Sequence, residues 1–298
     1  MIEFSEINIE DKVLFDKYLK NYNPVASEMT FTNFFMWRYF YKFRYAQING
    51  FLCIISVPEE GAPSAFMPIG EVREDNFLKT IKELKDYFTN RQWQLQFKRV
   101  TEVELAYFKG QLSDSEVVFD RDNSDYVYLS EDLINLAGKK FDGKRNHINK
   151  FKKLYLYEYV PLNQETLGDC HRIMQEWCAE RECKDHKGLY CEKLANIELL
   201  NNFEKLGCKG ALIKVDDRFC AFTVGEMLNQ DTAVIHIEKA NSKVNGLYTF
   251  INQQFCAYAW KNAVYINREQ DLGMEGLRRA KLSYNPVEMI NKYIITIP

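Results

Sequence analysis

Two short hairpin signatures, Asn49-Gly50-Phe51-Leu52-Cys53 and Asp216-Asp217-Arg218-Phe219-Cys220, stand 167 positions apart, and the same order of predicted elements surrounds both. Asn-Gly between apolar runs is a strong two-residue hairpin signal, so each signature pins a pair of antiparallel strands. Around the first, the pattern predicts helices over 11–20 and 30–41, strands over 45–49 and 51–57, and a third strand over 65–68. A helix over 76–89, a strand over 93–97, a short helix near 102–109 and strands near 117 and over 126–129 follow. Around the second, helices over 164–181 and 192–205 lead into strands over 211–215, 219–226 and 233–238. A helix over 247–261, a strand over 263–267, a helix over 274–281 and a last strand near 287–297 complete that half.

Helices, hairpin, third strand, long helix and fourth strand, repeated, describe an α/β (α+β) protein with a mixed, mostly antiparallel sheet flanked by helices in each half. The order is similar to that of the GNAT-like acyltransferase fold, in which two central strands splay apart to admit an acyl donor. Here those strands are 233–238 and 263–267. The expectation is two such domains in tandem, 1–135 and 136–298, with a binding groove between them. Open α/β sheets keep ligands at the carboxyl ends of their strands, which directs attention to the polar run Asn267-Arg268-Glu269-Gln270-Asp271 that follows an apolar strand.

A formal net charge of −3 over 298 residues leaves no global field to hold nucleic acid or an anionic membrane, so any such affinity is local. The acidic start lacks the basic and apolar regions of a signal peptide, and no stretch reaches the ~20 uncharged apolar residues of a membrane span. A cytoplasmic protein is expected, with its eight cysteines as free thiols. Cys170, His171, Cys178, Cys183, His186 and Cys191 cluster in sequence, but Cys170 and Cys178 fall inside a helical pattern rather than on the turns that usually present zinc ligands. No metal is expected.

Three segments carry possible chemistry. In the first, Asn267 and Asp271 can hydrogen-bond a substrate amine or hydroxyl, and Arg278 and Lys281 share a helix face. The ordinary reading has Asp271 capping the helix and Glu275 pairing with Arg278 or Arg279. In the second, residues 138–153, Lys139, Lys140, Lys144, Arg145, Lys150, Lys152 and Lys153 face a single acid, Asp142. Phe141, Ile148 and Phe151 are spaced to bury one face of this helix. The outward basic groups suit phosphates, or form a merely solvated helix. In the third, residues 236–250, Asn245-Gly246 is all that remains of a glycine-rich phosphate turn at a helix N-terminus. Glu238, near the end of the preceding strand, is a candidate general base. With four His and no G-x-S-x-G, H-E-x-x-H or Rossmann fingerprint, the inventory favours a reaction driven by positioning and electrostatics.

The run Asn267, Asp271, Leu272, Gly273, Gly276, Leu277, Arg278, Lys281, Tyr284 and Pro286 follows the terminal signature of the phosphatidylglycerol lysyltransferase C-terminal domain family. The basic segment Lys144-Arg145-Asn146-His147-Ile148-Asn149-Lys150-Phe151 resembles that family's other characteristic region, shared loosely with Fem-type peptidoglycan aminoacyltransferases. The resemblance implies a tandem GNAT-like fold and transfer of an aminoacyl group from aminoacyl-tRNA to a hydroxyl or amine acceptor, with no cofactor or metal. It implies that Asn267, Asp271, Arg278, Lys281 and Tyr284 shape the acceptor and aminoacyl site. Lys144, Arg145, Asn146 and Lys150 would hold the tRNA end or another anion, and Glu238 or Asp271 would serve as base. Lipid-modifying members carry a membrane-spanning module before this domain and none is read here, so a peptide, small amine or protein is as good an acceptor as a lipid head group. Two other readings stand beside this one. One is an acyl-coenzyme-A-dependent N-acyltransferase, which would use the Asn245-Gly246 turn. The other is a non-catalytic binding module on the same fold.

Overall fold

In chain order the elements are β1 (Ser5–Glu6), α1 (Lys12–Tyr22), α2 (Phe31–Met36), α3 (Arg38–Tyr41), β2 (Phe43–Ile48), β3 (Phe51–Ser56), β4 (Ser64–Ala65), α4 (Glu74–Thr89), β5 (Gln96–Thr101), α5 (Glu102–Leu105), β6 (Glu116–Phe119), β7 (Asp125–Leu129) and α6 (Ser130–Asn135). They continue with α7 (Asp142–Leu154), β8 (Tyr157–Pro161), α8 (Leu167–Glu180), α9 (Lys187–Asn201), α10 (Phe203–Leu206), β9 (Lys209–Val215), β10 (Arg218–Met227), β11 (Thr232–Ala240), α11 (Leu247–Ala259), β12 (Tyr265–Asn267), α12 (Glu275–Leu282), β13 (Glu288–Ile290) and β14 (Lys292–Thr296). The computed structural model describes residues 2–108, 115–182 and 187–298. Both hairpins form with two-residue turns. Asn49 (φ 49°) and Gly50 (φ 88°), like Asp216 (φ 46°) and Asp217 (φ 68°), take the left-handed conformations that a tight hairpin requires.

The chain divides into two compact units: Met1–Asp125, Gln270–Met274 and Met289–Pro298 form the first, and Tyr126–Glu269 with Glu275–Glu288 the second. The boundary expected at 135/136 thus falls at 125/126, and two later stretches return to the first unit.

In the first unit the strand order is β1-β2-β3-β4-β5-β14-β6. Phe77, Leu84 and Phe88, spaced along one side of α4, pack onto Phe51, Cys53, Ile55 and Phe97. The last strand, expected to complete the second half, instead pairs β14 with β5 and β6 here. Long-range charge pairing explains the change. Lys292 is fully buried, and its ammonium lies 2.5 Å from Glu28 and 2.6 Å from Asp125, partners that only the first unit supplies.

In the second unit the order runs β7-β12-β11-β10-β9-β8. β8 has no counterpart in the sequence reading. Helices α6, α7 and α11 cover one face of this sheet, where Phe141, Ile148 and Phe151 of the basic segment meet Leu247, Phe250 and Ile251. Helices α8 and α9 cover the other, where Trp177 of α8 and Glu192 of α9 meet Lys239 of β11. β11 and β12 are parallel and pair only from Thr232↔Tyr265 to Val234↔Asn267. Beyond that point β11 runs on to Ala240 while β12 has ended, which leaves that edge of β11 open at the place where the acyltransferase fold admits its donor. Cys53, Cys170, Cys191, Cys208, Cys220 and Cys256 are free thiols. Cys178 is disulfide-bonded, against the expectation of free thiols throughout. Among the described residues no helix is long and apolar enough to cross a membrane.

Candidate functional site at the opening of the second sheet

The opening between β11 and β12 is shaped first by a β-bulge. Val224 pairs with Ile237 but Gly225 pairs with Ile235, which leaves His236 as the extra residue of β11. Gly225 is needed there, because a Cβ on it would lie 2.3 Å from the Val234 carbonyl oxygen. The bulge absorbs the inserted residue, and Glu238 keeps its register opposite Thr223. Glu238 turns toward α11, while His236 lies between Glu226 and Glu269, with Nε2 2.9 Å from one carboxylate and Nδ1 3.0 Å from the other. Burial works against a charged imidazole, but hydrogen bonds to Glu226 and Glu269 outweigh it and hold the His236 pKa up at about 9.

On the α11 side, each oxygen of Glu238 takes one donor: Arg268 Nη2 at 3.0 Å and Asn252 Nδ2 at 3.0 Å. The Arg268 side chain packs over the ring of Tyr284, its guanidinium carbon 4.7 Å from the centroid, with Tyr128 at 5.8 Å. Burial pulls the guanidinium toward neutrality, yet the Glu238 carboxylate, with the phenols of Tyr284 and Tyr128, holds it firmly protonated. Two polar atoms of this cluster, Arg268 Nη1 and Asn252 Oδ1, are buried and have no hydrogen-bond partner among the described residues. One is a donor and the other an acceptor, and both belong to side chains fixed by the same carboxylate. Arg268 itself is held from behind, because Lys281 donates from Nζ to its carbonyl oxygen and Tyr128 donates to the Lys281 carbonyl at 2.9 Å.

Lys144 of α7 reaches the same cluster. Its ammonium donates to Ser283 Oγ at 2.7 Å and lies 3.7 Å over the Tyr284 ring. Burial, and then the charge of Arg268, lower its pKa to about 8 against an opposing pull from Glu238.

The residues expected from sequence divide into those that join this cluster and those that do not. Glu238, Lys144, Lys281 and Tyr284 come together. Asn267 is fully buried and accepts the Glu269 N–H at 2.8 Å, which folds the turn after β12. Asp271 belongs to the first unit, fully buried; it accepts the Gly273 N–H at 2.9 Å and pairs with Arg121 at 3.2 Å. Both carboxylate oxygens are thus engaged, which makes Asp271 an anchor for the chain and not a base. Arg278 is half-buried on α12. Arg145 donates to the Gly138 carbonyl at 2.8 Å and to Leu136 and Asp142, so it fastens the start of its own helix instead of offering a free charge. Asn146 and Lys150 are exposed on α7. At the expected phosphate turn, a Cβ on Gly246 (φ +83°) would lie 2.5 Å from the His147 carbonyl oxygen. Packing of α7 on the start of α11 therefore accounts for the glycine after Asn245. Cys183 and His186 lie outside the described residues.

Arg268 and Asn252 were missed. Arg268 lay inside the polar run already singled out, but nothing local says which member of such a run points inward. Asn252 gave a clearer signal, as a lone amide on the buried stripe Thr249, Asn252, Phe255 and Cys256 of α11.

Comparisons with known proteins bear on the family and the fold. A sequence model of the family described as phosphatidylglycerol lysyltransferase, C-terminal, matches residues 19–296. A conserved protein of unknown function from Bacteroides thetaiotaomicron is 33% identical, with a TM-score of 0.94 and 100% of each chain covered. L-PGS from Bacillus licheniformis superposes at a TM-score of 0.66 and 16% identity, covering 98% of this chain and 92% of its own. A tandem GNAT protein from the clavulanic acid biosynthesis pathway gives 0.52 at 8% identity, over 99% of this chain and 98% of that one. At these identities the last two bear on the fold: tandem GNAT-like units.

Proposed function

The chain belongs to the phosphatidylglycerol lysyltransferase C-terminal family, and on that footing we propose that it transfers an aminoacyl group from aminoacyl-tRNA to a hydroxyl or amine acceptor. The observation that carries this reading is the buried Arg268 Nη1 beside Asn252 Oδ1 at the opening of the sheet, both unpartnered among the described residues. A buried donor without a partner costs about 1–3 kcal/mol, an expense that a binding site recovers when ligand arrives. The free guanidinium N–H suits an acyl carbonyl oxygen, on which negative charge develops as the acceptor attacks. The free amide oxygen suits an N–H or O–H of the same substrate. Glu238 orients both groups, in keeping with its place between two donors. Chemistry of this kind needs an already activated ester and accurate placement, and an aminoacyl ester meets the first condition.

The test is transfer of radiolabelled amino acid from a bulk charged tRNA pool. Purified protein is supplied with phosphatidylglycerol vesicles, a peptide mixture or simple amines, and acetyl-coenzyme A is run in parallel as donor. Protein-dependent transfer from tRNA that falls about 10²–10³-fold in Arg268→Ala, the usual effect of deleting one such donor, supports the reading. Transfer only from acetyl-coenzyme A, or full activity in the variant, overturns it.

A further inference from the structure

Attack by an amine or hydroxyl requires that its proton go somewhere, and the carboxylates near the opening are occupied. Glu238 has a donor on each oxygen, and Asp271 is buried against Arg121 and the Gly273 N–H. His236 is bracketed by Glu226 and Glu269. With a carboxylate at each ring nitrogen it carries both protons and has no lone pair to offer. Lys144 is differently placed. It projects from α7 to the edge of the Glu238–Arg268 cluster, and it is only half-buried, within reach of both solvent and a bound ligand.

We propose that Lys144, as a neutral amine, is the group that removes the acceptor's proton in the transfer reaction; the proposal rests on the aminoacyl-transfer reading given above. Ser283 is set to hold that amine without competing for its lone pair. The serine hydroxyl donates to the Ala280 carbonyl at 2.6 Å and so presents oxygen lone pairs to Lys144. A neutral amine keeps two N–H bonds, one of which Ser283 accepts, and its lone pair stays available. In the step itself, the acceptor nitrogen or oxygen forms a bond to the acyl carbon and passes its proton to Nζ. The bond from that carbon to the tRNA ribose oxygen then breaks, and the proton on Nζ goes to the departing oxygen. No oxidant, metal or further reactant enters.

The groups that set the protonation of Lys144 come from every element around it. Arg268, following β12, repels the ammonium, whereas Glu238 of β11 and the Tyr284 ring after α12 attract it. Tyr128 of β7 and Cys256 of α11 belong to the same cluster through their interaction with Arg268. Burial and Arg268 prevail, giving the value near 8, where an ordinary lysine holds its proton up to about 10.4. A base poised close to working pH is the efficient one.

Two measurements test the assignment. In the first, trace acetic anhydride labels the whole protein across a pH series, and the Lys144 peptide is quantified by mass spectrometry. A reactivity midpoint near 8 is expected, moving upward in Arg268→Gln as the repelling charge is removed. A midpoint near 10.4 overturns the proposal. In the second, the pH dependence of aminoacyl transfer is compared in the wild type and Lys144→Arg, which keeps the charge and the ring contact but offers no proton acceptor in this range. The wild-type rate should climb toward pH 8 and level off, and the variant should lose about 10²-fold or more together with that inflection. Wild-type transfer with an unchanged rate and profile in Lys144→Arg would refute the proton role while leaving the aminoacyl reading intact. Absence of transfer in the wild type itself would remove both, whatever the labelling midpoint.

Discussion

The clamp around His236 should make the stability of the second unit depend on pH in a direction opposite to that of most carboxylate pairs. Its imidazole is 1% exposed and lies 2.9 Å from Glu226 and 3.0 Å from Glu269, and its pKa rises from the ordinary 6.5 to about 9 on folding. Because the folded value lies above the unfolded one, the native state binds the proton more tightly. The stabilisation is complete below about pH 6.5 and is lost as pH rises through 9. At about 1.36 kcal/mol for each tenfold change in proton affinity, the clamp contributes about 3 kcal/mol at pH 5.5. That contribution falls to about 1.4 kcal/mol at pH 8 and to a few tenths or less at pH 9.5. Urea denaturation at those pH values, followed by tryptophan fluorescence, measures the slope. The control is the Glu226→Gln, His236→Gln, Glu269→Gln triple variant, in which nothing at this position titrates. The wild type should lose about 3 kcal/mol more than the control between pH 5.5 and 9.5. Parallel pH profiles would show that the imidazole is not held as a cation, and the account of the bulge as an electrostatically locked feature would fail.

Other substitutions test other parts of the structure. Lys292→Met removes the cation between Glu28 and Asp125 and should cost about 3–5 kcal/mol in urea titrations, with partial recovery when Asp125→Asn is added; a loss under about 1 kcal/mol would contradict the buried-pair assignment. Gly225→Ala forces a methyl to within 2.3 Å of the Val234 carbonyl oxygen and should cost about 1–3 kcal/mol, the usual range for overpacking. A neutral outcome there, by thermal denaturation, would mean that the bulge yields more easily than its geometry indicates.

The sequence revealed most clearly what is local. Asn49-Gly50 and Asp216-Asp217 announce their turns through residues that tolerate positive φ. The apolar spacing of α7 separates its buried face from its charged one. The short antiparallel edge strand β8 was not visible, because Tyr157, Glu158 and Pro161 are exposed with Tyr159 and Val160 only half-buried, so no inward stripe marks it as a strand. The return of β14 to the first unit could not be read from Lys292 alone, since its partners Glu28 and Asp125 lie 264 and 167 positions away. The same limit affected the site. Asp271 has the composition of a ligand-binding residue in a polar turn, and only the fold brings Arg121, 150 positions distant, against it. Tyr284, Lys281 and Lys144 were recognisable from their motifs, whereas the inward aim of Arg268 depends on where β12 stops relative to β11.

That stopping point also gives the bulge its meaning. An extra residue in a central strand ordinarily disrupts the ladders on both of its sides. Here β12 has no paired residue after Asn267, opposite Val234, so His236 is inserted where β11 has a ladder only with β10. The cost of the irregularity is reduced on one side and offset on the other by two carboxylates that engage the displaced imidazole. Two residues further on, the bulge having absorbed the insertion, Glu238 keeps its register opposite Thr223 and points toward α11, where it fixes Arg268 and Asn252. The polar cluster on one face of the sheet and the histidine clamp on the other therefore coexist because the bulge confines the added residue to one position. Deleting His236 would return β11 to regular alternation with Ile237 still opposite Val224 and Glu238 still opposite Thr223, so the clamp would be lost while Glu238 kept both of its partners.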